Sequence, residues 1–319
     1  MNLNLIFDIL ILILTALGSL AFIILIVLIS IRIRPFASNV ALILTCNTCV
    51  AGLMCCIGLL DMYAYTLHGD LYSTGTLENG WCLIRAYLVQ VVGCALYHSY
   101  VLQAIFRFCR IVFYQKKKLQ SLSVSCTAII IQWLLAFLFI LPNLLLNDFE
   151  YLPSEYHCQV PLTNFRGLLM MGLIAYFIPI GVVSLMYIYL IRFIRQSSQR
   201  LQNRQRQNKR DFIVIKRILS LLMIFAIMCF PSVLLWLINI ITHYLPPMSH
   251  DIEWLTISIC MSIVPVAIVL ITPQINRMFK TNRAQVHTIA TVRIGQHEMT
   301  DRIRSLAEHR LWQFLHSRA

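Results

Sequence analysis

The chain has 319 residues, of which 59% are hydrophobic and only 12% charged, against about a quarter charged in a soluble domain. That balance excludes an ordinary water-soluble globule and points to hydrocarbon as the solvent. The formal charge of +13 does not imply a nucleic-acid partner, because the bases sort to one side of a membrane topology.

Stretches without Asp, Glu, Lys or Arg cover 9–31, 35–60, 86–106, 119–147, 167–191, 218–250 and 254–276, each at least 21 residues long, and the next longest, 156–165, has ten. A bilayer core of about 30 Å needs about 20 apolar residues at about 1.5 Å rise each. Only helices or closed barrels satisfy their backbone groups there. An all-α, seven-transmembrane helix bundle is predicted, with spans at about 8–32, 38–65, 82–113, 121–146, 167–195, 211–244 and 252–272.

In chain order, MNLNLIFD carries no basic segment and leads into a 23-residue apolar run, so it is expected to remain as span one and not to be a cleaved signal. Span two has no acid between 35 and 60. Span three starts at Cys82 and ends in IFRFCR, where Arg107 lies between Phe106 and Phe108. Span four carries Trp133 and Pro142, span five Pro179 and Tyr187, span six Phe225 and Pro231, and span seven Pro265. The segment RQSSQRLQNRQRQNKRD is polar, lacks Pro and Gly and is rich in helix formers, so spans five and six are expected to extend beyond the bilayer. Beyond Pro273, QINRMFK alternates as a short interfacial helix would, and a second, weakly amphipathic stretch bears Met299, Ile303, Leu306, Leu311, Trp312 and Leu315; both fit helices resting on an anionic membrane face. The division expected is a receptor-like bundle over 1–280 and a tail over 281–319. No Cys follows Cys260, which excludes palmitoylation of the tail.

The connections after spans one, three, five and seven hold 24 of the 26 Lys and Arg, leaving Arg85 and Arg166 on the other face. By the positive-inside rule the amino terminus is outside and the carboxyl terminus cytoplasmic. Nine of the thirteen acids run the opposite way, among them Asp8, Asp70, Asp148, Glu155 and Asp251. Of eleven Cys, nine lie in or at the ends of spans, where a small polarizable side chain packs without special purpose. Cys82 and Cys158 instead fall on the outer, oxidising side, and a disulfide between them is predicted.

Seven spans with an outside amino terminus, Trp81-Cys82 at the head of span three, an Arg at its inner end and a Cys in the second outer loop resemble the rhodopsin-like (class A) G-protein-coupled receptors. The ordered landmarks Trp133 and Pro142, Pro179 with Tyr187, Phe225 with Pro231, and Pro265 extend that resemblance over roughly residues 10–280. Each proline removes a backbone donor and bends its helix, so Pro231 gives span six a hinge. The resemblance implies that an extracellular ligand shifts the equilibrium between two packings, that span six moves outward, and that a heterotrimeric G protein is admitted onto Arg107. An Arg at that depth needs a partner or a route to the headgroups. The family's acid before this Arg is Phe106 here, and twenty residues before Pro231 the family's other acid position falls on Asp211. An Arg107–Asp211 lock is expected in the closed bundle, with Arg107 turning toward Tyr187 on opening; Arg107 reaching the headgroups without a partner is the other reading.

Four family positions differ. The Asp of span two falls at Gly52, the Asn and Tyr around the span-seven proline are Val264 and Ile268, and the Trp two residues before Pro231 is Cys229. With so few oxygens at the bundle centre, no sodium dependence is expected. Weak coupling, as in a decoy or a constitutively active receptor, is the alternative function.

Span seven has no Lys for a retinal Schiff base, and the amine receptors' Asp position in span three is Val89, so neither a pigment nor an amine receptor is implied. Candidate ligand-binding residues are Asp61, Arg85, Val89, Gln90, Tyr176, Trp236, Glu253 and Trp254, a mixture of charge and aromatic anchors that favours a peptide. The outer acids favour a cationic one. A transporter or channel would place charges or broken helices within several spans, and an enzyme would need clustered His, Asp or Glu, whereas His98 is the sole His deep in a span. The expectation is therefore a non-enzymatic receptor of the plasma membrane, without cofactor or metal, with an extracellular peptide ligand, a G protein and the lipid bilayer as partners and no nucleic acid.

Overall fold

A chain this apolar must pair its backbone groups within each segment, and it does so almost wholly as helix. The computed structural model describes residues 3–32, 40–72, 80–197, 219, 223, 226, 230–246 and 248–271. Helices α1 (Leu3–Arg32), α2 (Val40–Tyr72), α3 (Gly80–Val112) and α4 (Leu122–Leu145) form the first four spans. Span five is a continuous rod of α5 (Phe165–Met171), a π-helical turn (Gly172–Phe177) and α6 (Ile178–Ser197). The described part of span six is α7, Phe230–Thr242, and span seven is α8, Ser249–Ile271. Six of these helices are long and apolar enough to cross a membrane, with α7 as a shorter apolar helix, so the protein is a seven-helix transmembrane bundle. The expected interfacial helix and tail, and most of the segment joining spans five and six, lie outside the described residues.

In α1, Ile11, Thr15, Gly18, Phe22, Leu25 and Ile29 are all buried. Their alternating spacings of four and three form one stripe facing α2 and α8. Ile13, Leu17, Leu20 and Ile24 face the other way and are exposed. At Gly18 the helices approach so closely that a Cβ would lie 2.9 Å from the Met261 carbonyl oxygen of α8. Pro265 cannot donate to that carbonyl four residues earlier. The glycine thus lets α1 cover a carbonyl that its own helix leaves open.

Between α2, α3 and α4 a polar relay crosses the core. Trp133 Nε1 donates to Asn47 Oδ1 at 3.0 Å, Asn47 Nδ2 to Gln132 Oε1 at 2.8 Å, and Gln132 Nε2 to the Ala95 carbonyl at 2.8 Å. Gln103 Nε2 donates to Thr48 Oγ1 at 2.6 Å. Away from water each such group needs its partner, so the relay fixes the rotation of three helices about their own axes.

Asn147, with φ 55°, turns the chain out of α4 into an antiparallel hairpin of β1 (Glu150–Leu152) and β2 (His157–Gln159). Three attachments place it. At its base the fully buried Asp148 accepts from Asn164 Nδ2 at 3.0 Å and from Arg166 Nη2 at 2.5 Å. In its middle, Cys158 is disulfide-bonded to Cys82 of α3, Cα to Cα 5.6 Å. At its tip Tyr156, with φ 54°, lays its ring where a Cβ on Gly69 would come within 2.2 Å. A bulky side chain rarely adopts that backbone conformation, and the packing over Gly69 holds it there. Helix α2 accordingly continues to Tyr72, past the expected end near 65, because its last turns support the hairpin.

Candidate functional site: a cavity at the disulfide end of the bundle

The hairpin, α3, span five, α7 and α8 enclose a cavity with about 1350 Å³ of empty space, counting its open mouth. Helical spacing builds its floor, since Val89, Gln90, Gly93, Leu96 and Tyr97 fall on one face of α3. Six of the eight candidate residues meet here: Val89 and Gln90 from α3, Tyr176 from the π-helical turn, Trp236 from α7, and Glu253 and Trp254 from α8. The other two do not reach it. Asp61 pairs with Arg85 Nε at 2.8 Å, and the guanidinium lies 3.8 Å above the Tyr65 ring. Both border a smaller pocket between α2, α3 and the hairpin, which Val89 also touches.

Apolar and aromatic side chains dominate the lining, and Glu253 is the one charged residue among the described ones. Ser232 Oγ and Trp236 Nε1 are buried polar atoms at the wall without a hydrogen-bond partner among the described residues. Trp236 is held from behind by stacking on Phe165, centroids 5.6 Å apart. Such unfilled donors beside a carboxylate are what a ligand offering an acceptor and a cation would satisfy.

Three residues here were not among the candidates. Tyr97 meets Tyr176 edge-on at 6.2 Å, and its position seven residues after Gln90 was the available signal. Ser232 adjoins the hinge proline. Gln159 follows the disulfide cysteine and ties the hairpin to α8: Trp254 Nε1 donates to its Oε1 at 2.7 Å, and its Nε2 is 2.5 Å from His250 Nδ1.

The cavity also borders span six beside Pro231, at Ser232 and Val233. The π-helical turn places Tyr176 so that its hydroxyl donates to the Ala226 carbonyl at 2.8 Å, and Pro179 lies two residues beyond the end of that turn at Phe177. A proline's missing donor is accommodated by a local widening of the preceding turn. Spans five and six are therefore fastened to each other just before Pro231.

At the opposite end, Arg107 is half-buried on α3. Its neighbour Phe108 packs with Tyr187 and Phe193 against the buried Ile111 and Leu190. Asp211 and Phe225 lie outside the described residues, and so does the expected lock. Pro265 sits inside α8. Midway, the Phe22 ring fills the space of a side chain at position 52, where a Cβ on Gly52 would come within 2.4 Å of it. Val264 and Ile268 are likewise buried, so apolar atoms occupy the bundle centre where the related receptors carry polar ones.

The model of the family described as 7 transmembrane receptor (rhodopsin family) matches residues 23–273. The chain belongs to that family. No curated protein sequence matches it. Its members are G-protein-coupled receptors, so this multi-pass membrane protein is a signalling receptor and not an enzyme. In this receptor the cavity is lined by Tyr176 and by Ser232 next to Pro231, so a molecule entering it would contact spans five and six near the Tyr176–Ala226 hydrogen bond.

Proposed function

We propose that the disulfide end faces outward at the plasma membrane, and that the receptor binds there an extracellular peptide with a basic group and apolar or aromatic side chains. The basic group pairs with Glu253, a backbone carbonyl of the peptide accepts from Trp236 Nε1, and apolar side chains fill the pocket above Leu96 and Tyr97. Occupation biases span six outward about Pro231, and the opened cleft admits a G protein onto Arg107. The single observation supporting this reading is that Glu253 is the one charged residue among the described ones lining a cavity that also holds two unfilled donors. Phe106, the Gly52–Phe22 packing and the apolar Val264 and Ile268 favour a second reading, in which coupling is weak or ligand-independent.

Screening cationic and amidated peptides on cells expressing the full chain tests both. A peptide receptor gives a response that Arg107→Ala abolishes and that Glu253→Gln weakens by about tenfold, the loss of one charge-assisted contact. Guanine nucleotide should lower agonist affinity in membranes, as linkage requires. Signalling without any peptide, unchanged by Glu253→Gln and lost with Arg107→Ala, would favour the second reading.

A further inference from the structure

Outside the cavity, the same end of the bundle gathers an unusual set of acids. Asp8 belongs to the inward stripe of α1, three residues before Ile11, and is 1% exposed. Its electrostatic neighbours are Asp70 near the end of α2, Asp251 at the start of α8 and Glu155 at the hairpin tip. Neither of its carboxylate oxygens accepts from a donor group among the described residues, and its hydrogen-bonding neighbour is another carboxyl, that of Asp70. Asp251 is 2% exposed. We propose that Asp8, Asp70, Glu155 and Asp251 form a proton-binding site that fastens α1, α2, α8 and the hairpin to one another when protonated and loosens them when ionised.

Two groups that are not acids point to the same ligand. Tyr63 is fully buried, interacts with Asp251, Glu155, Asp8 and Glu253, and its hydroxyl is unpartnered among the described residues. His157 of the hairpin is 3% exposed, with its ring centroid 6.0 Å from that of Tyr63. Its Nδ1 lies 2.9 Å from the Glu155 carbonyl and 3.0 Å from the Thr66 hydroxyl, which itself donates to that carbonyl. Nδ1 therefore carries the ring proton. Nε2 is left as a bare acceptor with no partner among the described residues. The unfilled acceptors, both Asp8 oxygens and His157 Nε2, outnumber the one unfilled hydroxyl, that of Tyr63, and a protonated carboxyl supplies a further donor.

His250 opposes proton uptake at Glu155, but burial and the acids around it prevail. Arg85 of α3 interacts with His157 but pairs directly with Asp61. His250 lies 3.8 Å from Glu253, and its Nδ1 also faces the Gln159 amide, whose oxygen accepts from Trp254. Among the described residues no three His, Cys, Asp or Glu are placed to hold a metal ion. Buried carboxylates that outnumber the counter-charges around them resolve their cost by taking up protons.

The loop groups show the direction. Burial, reinforced by Asp251, pushes the Glu155 carboxyl up from 4.5 to about 7. Burial holds His157 down from 6.5 to about 4. Between pH 4.5 and 7 the folded chain keeps the Glu155 proton that the unfolded chain has lost, so this group's contribution falls as pH rises and has gone above about 7. The contribution of His157 runs oppositely, growing from pH 4 to 6.5 and then constant. The net loss of fastening therefore concentrates above pH 6.5.

The readout needs no ligand and no G protein, so it is independent of the receptor's coupling. Thermal unfolding of the purified full chain in lipid nanodiscs is followed from pH 5.5 to 8.5. The unfolding temperature should fall as pH rises above 6.5, and Asp8→Asn or Glu155→Gln should each raise it at pH 8 and flatten the profile. Glu150→Gln, at an exposed position of the same hairpin, should leave the profile parallel to that of the unchanged chain. A profile for the unchanged chain that is flat or rising between pH 6.5 and 8 overturns the proposal, as does an Asp8→Asn profile parallel to it. A stabilisation by calcium or zinc at pH 8 that Asp8→Asn abolishes also overturns it, because the cluster would then hold a metal ion.

Discussion

The close approach of α1 to the α8 backbone at Gly18 gives a sharp stability test. Replacing Gly18 by Ala adds a Cβ 2.9 Å from the Met261 oxygen, 3.2 Å from its carbonyl carbon and 3.4 Å from Ser262 N. These are backbone atoms in the middle of α8 and cannot swing aside, so α1 and α8 must part. Alanine gains about 0.5–1 kcal/mol over glycine within a helix. Overpacking a tight core costs about 1–3 kcal/mol. The second effect wins, for a net loss of about 0.5–2 kcal/mol, or roughly 1–8 °C in unfolding temperature at about 2–4 °C per kcal/mol. Gly181, where an added Cβ meets nothing within 4 Å, supplies the control: Gly181→Ala removes the glycine without the clash and should stabilise by about 0.5–1 kcal/mol. Both variants are measured by thermal unfolding in the same detergent. If Gly18→Ala is as stable as Gly181→Ala, the close approach of α1 to the carbonyl opened by Pro265 is not a constraint on the fold, and the account of this contact fails.

Cys158→Ser opens a link spanning 76 residues and should cost at most about 4 kcal/mol by chain entropy, read as reduced surface expression and a lower unfolding temperature. Arg166→Ala strips the guanidinium from the fully buried Asp148; the expected loss is about 3 kcal/mol, and Asp148→Asn combined with it should restore part of the stability. Asp211→Asn should raise basal signalling if the expected lock with Arg107 holds the bundle closed, and unchanged basal activity would reject that lock. Gln132→Leu breaks the relay from Trp133 to the Ala95 carbonyl and should cost about 1–3 kcal/mol.

Much of the fold was legible because hydrocarbon imposes a simple rule. Long uncharged runs mark spans, and α1, α3, α4 and α8 lie where those runs lie. The stripe from Ile11 to Ile29 follows from helical periodicity, and the Cys82–Cys158 bond from the two cysteines that fall outside the spans. Of the candidate ligand residues, those on helix faces converge on the cavity, because a helix keeps its register over many turns. Asp61 and Arg85 were placed at the same mouth, but their attraction to each other draws them into the neighbouring pocket.

The depth of the acids was missed. Asp8, Asp148 and Asp251 read as rim charges in the sequence, yet the structure buries all three. Burial at a membrane boundary depends on what covers the helix ends, and the cover here is a hairpin pinned at its base, middle and tip by residues as distant as Arg166, Cys82 and Gly69. Composition and periodicity by themselves determined a seven-helix membrane bundle, because the cost of exposing backbone to lipid is paid locally, segment by segment. Only the tertiary structure decided that Phe22 fills the space beside Gly52, that Gln159 joins the hairpin to α8, and that four carboxylates share one poorly solvated end of the bundle. Those features arise from contacts between residues far apart in the chain, whose energies depend on distance and solvent exclusion and leave no periodic trace in the sequence.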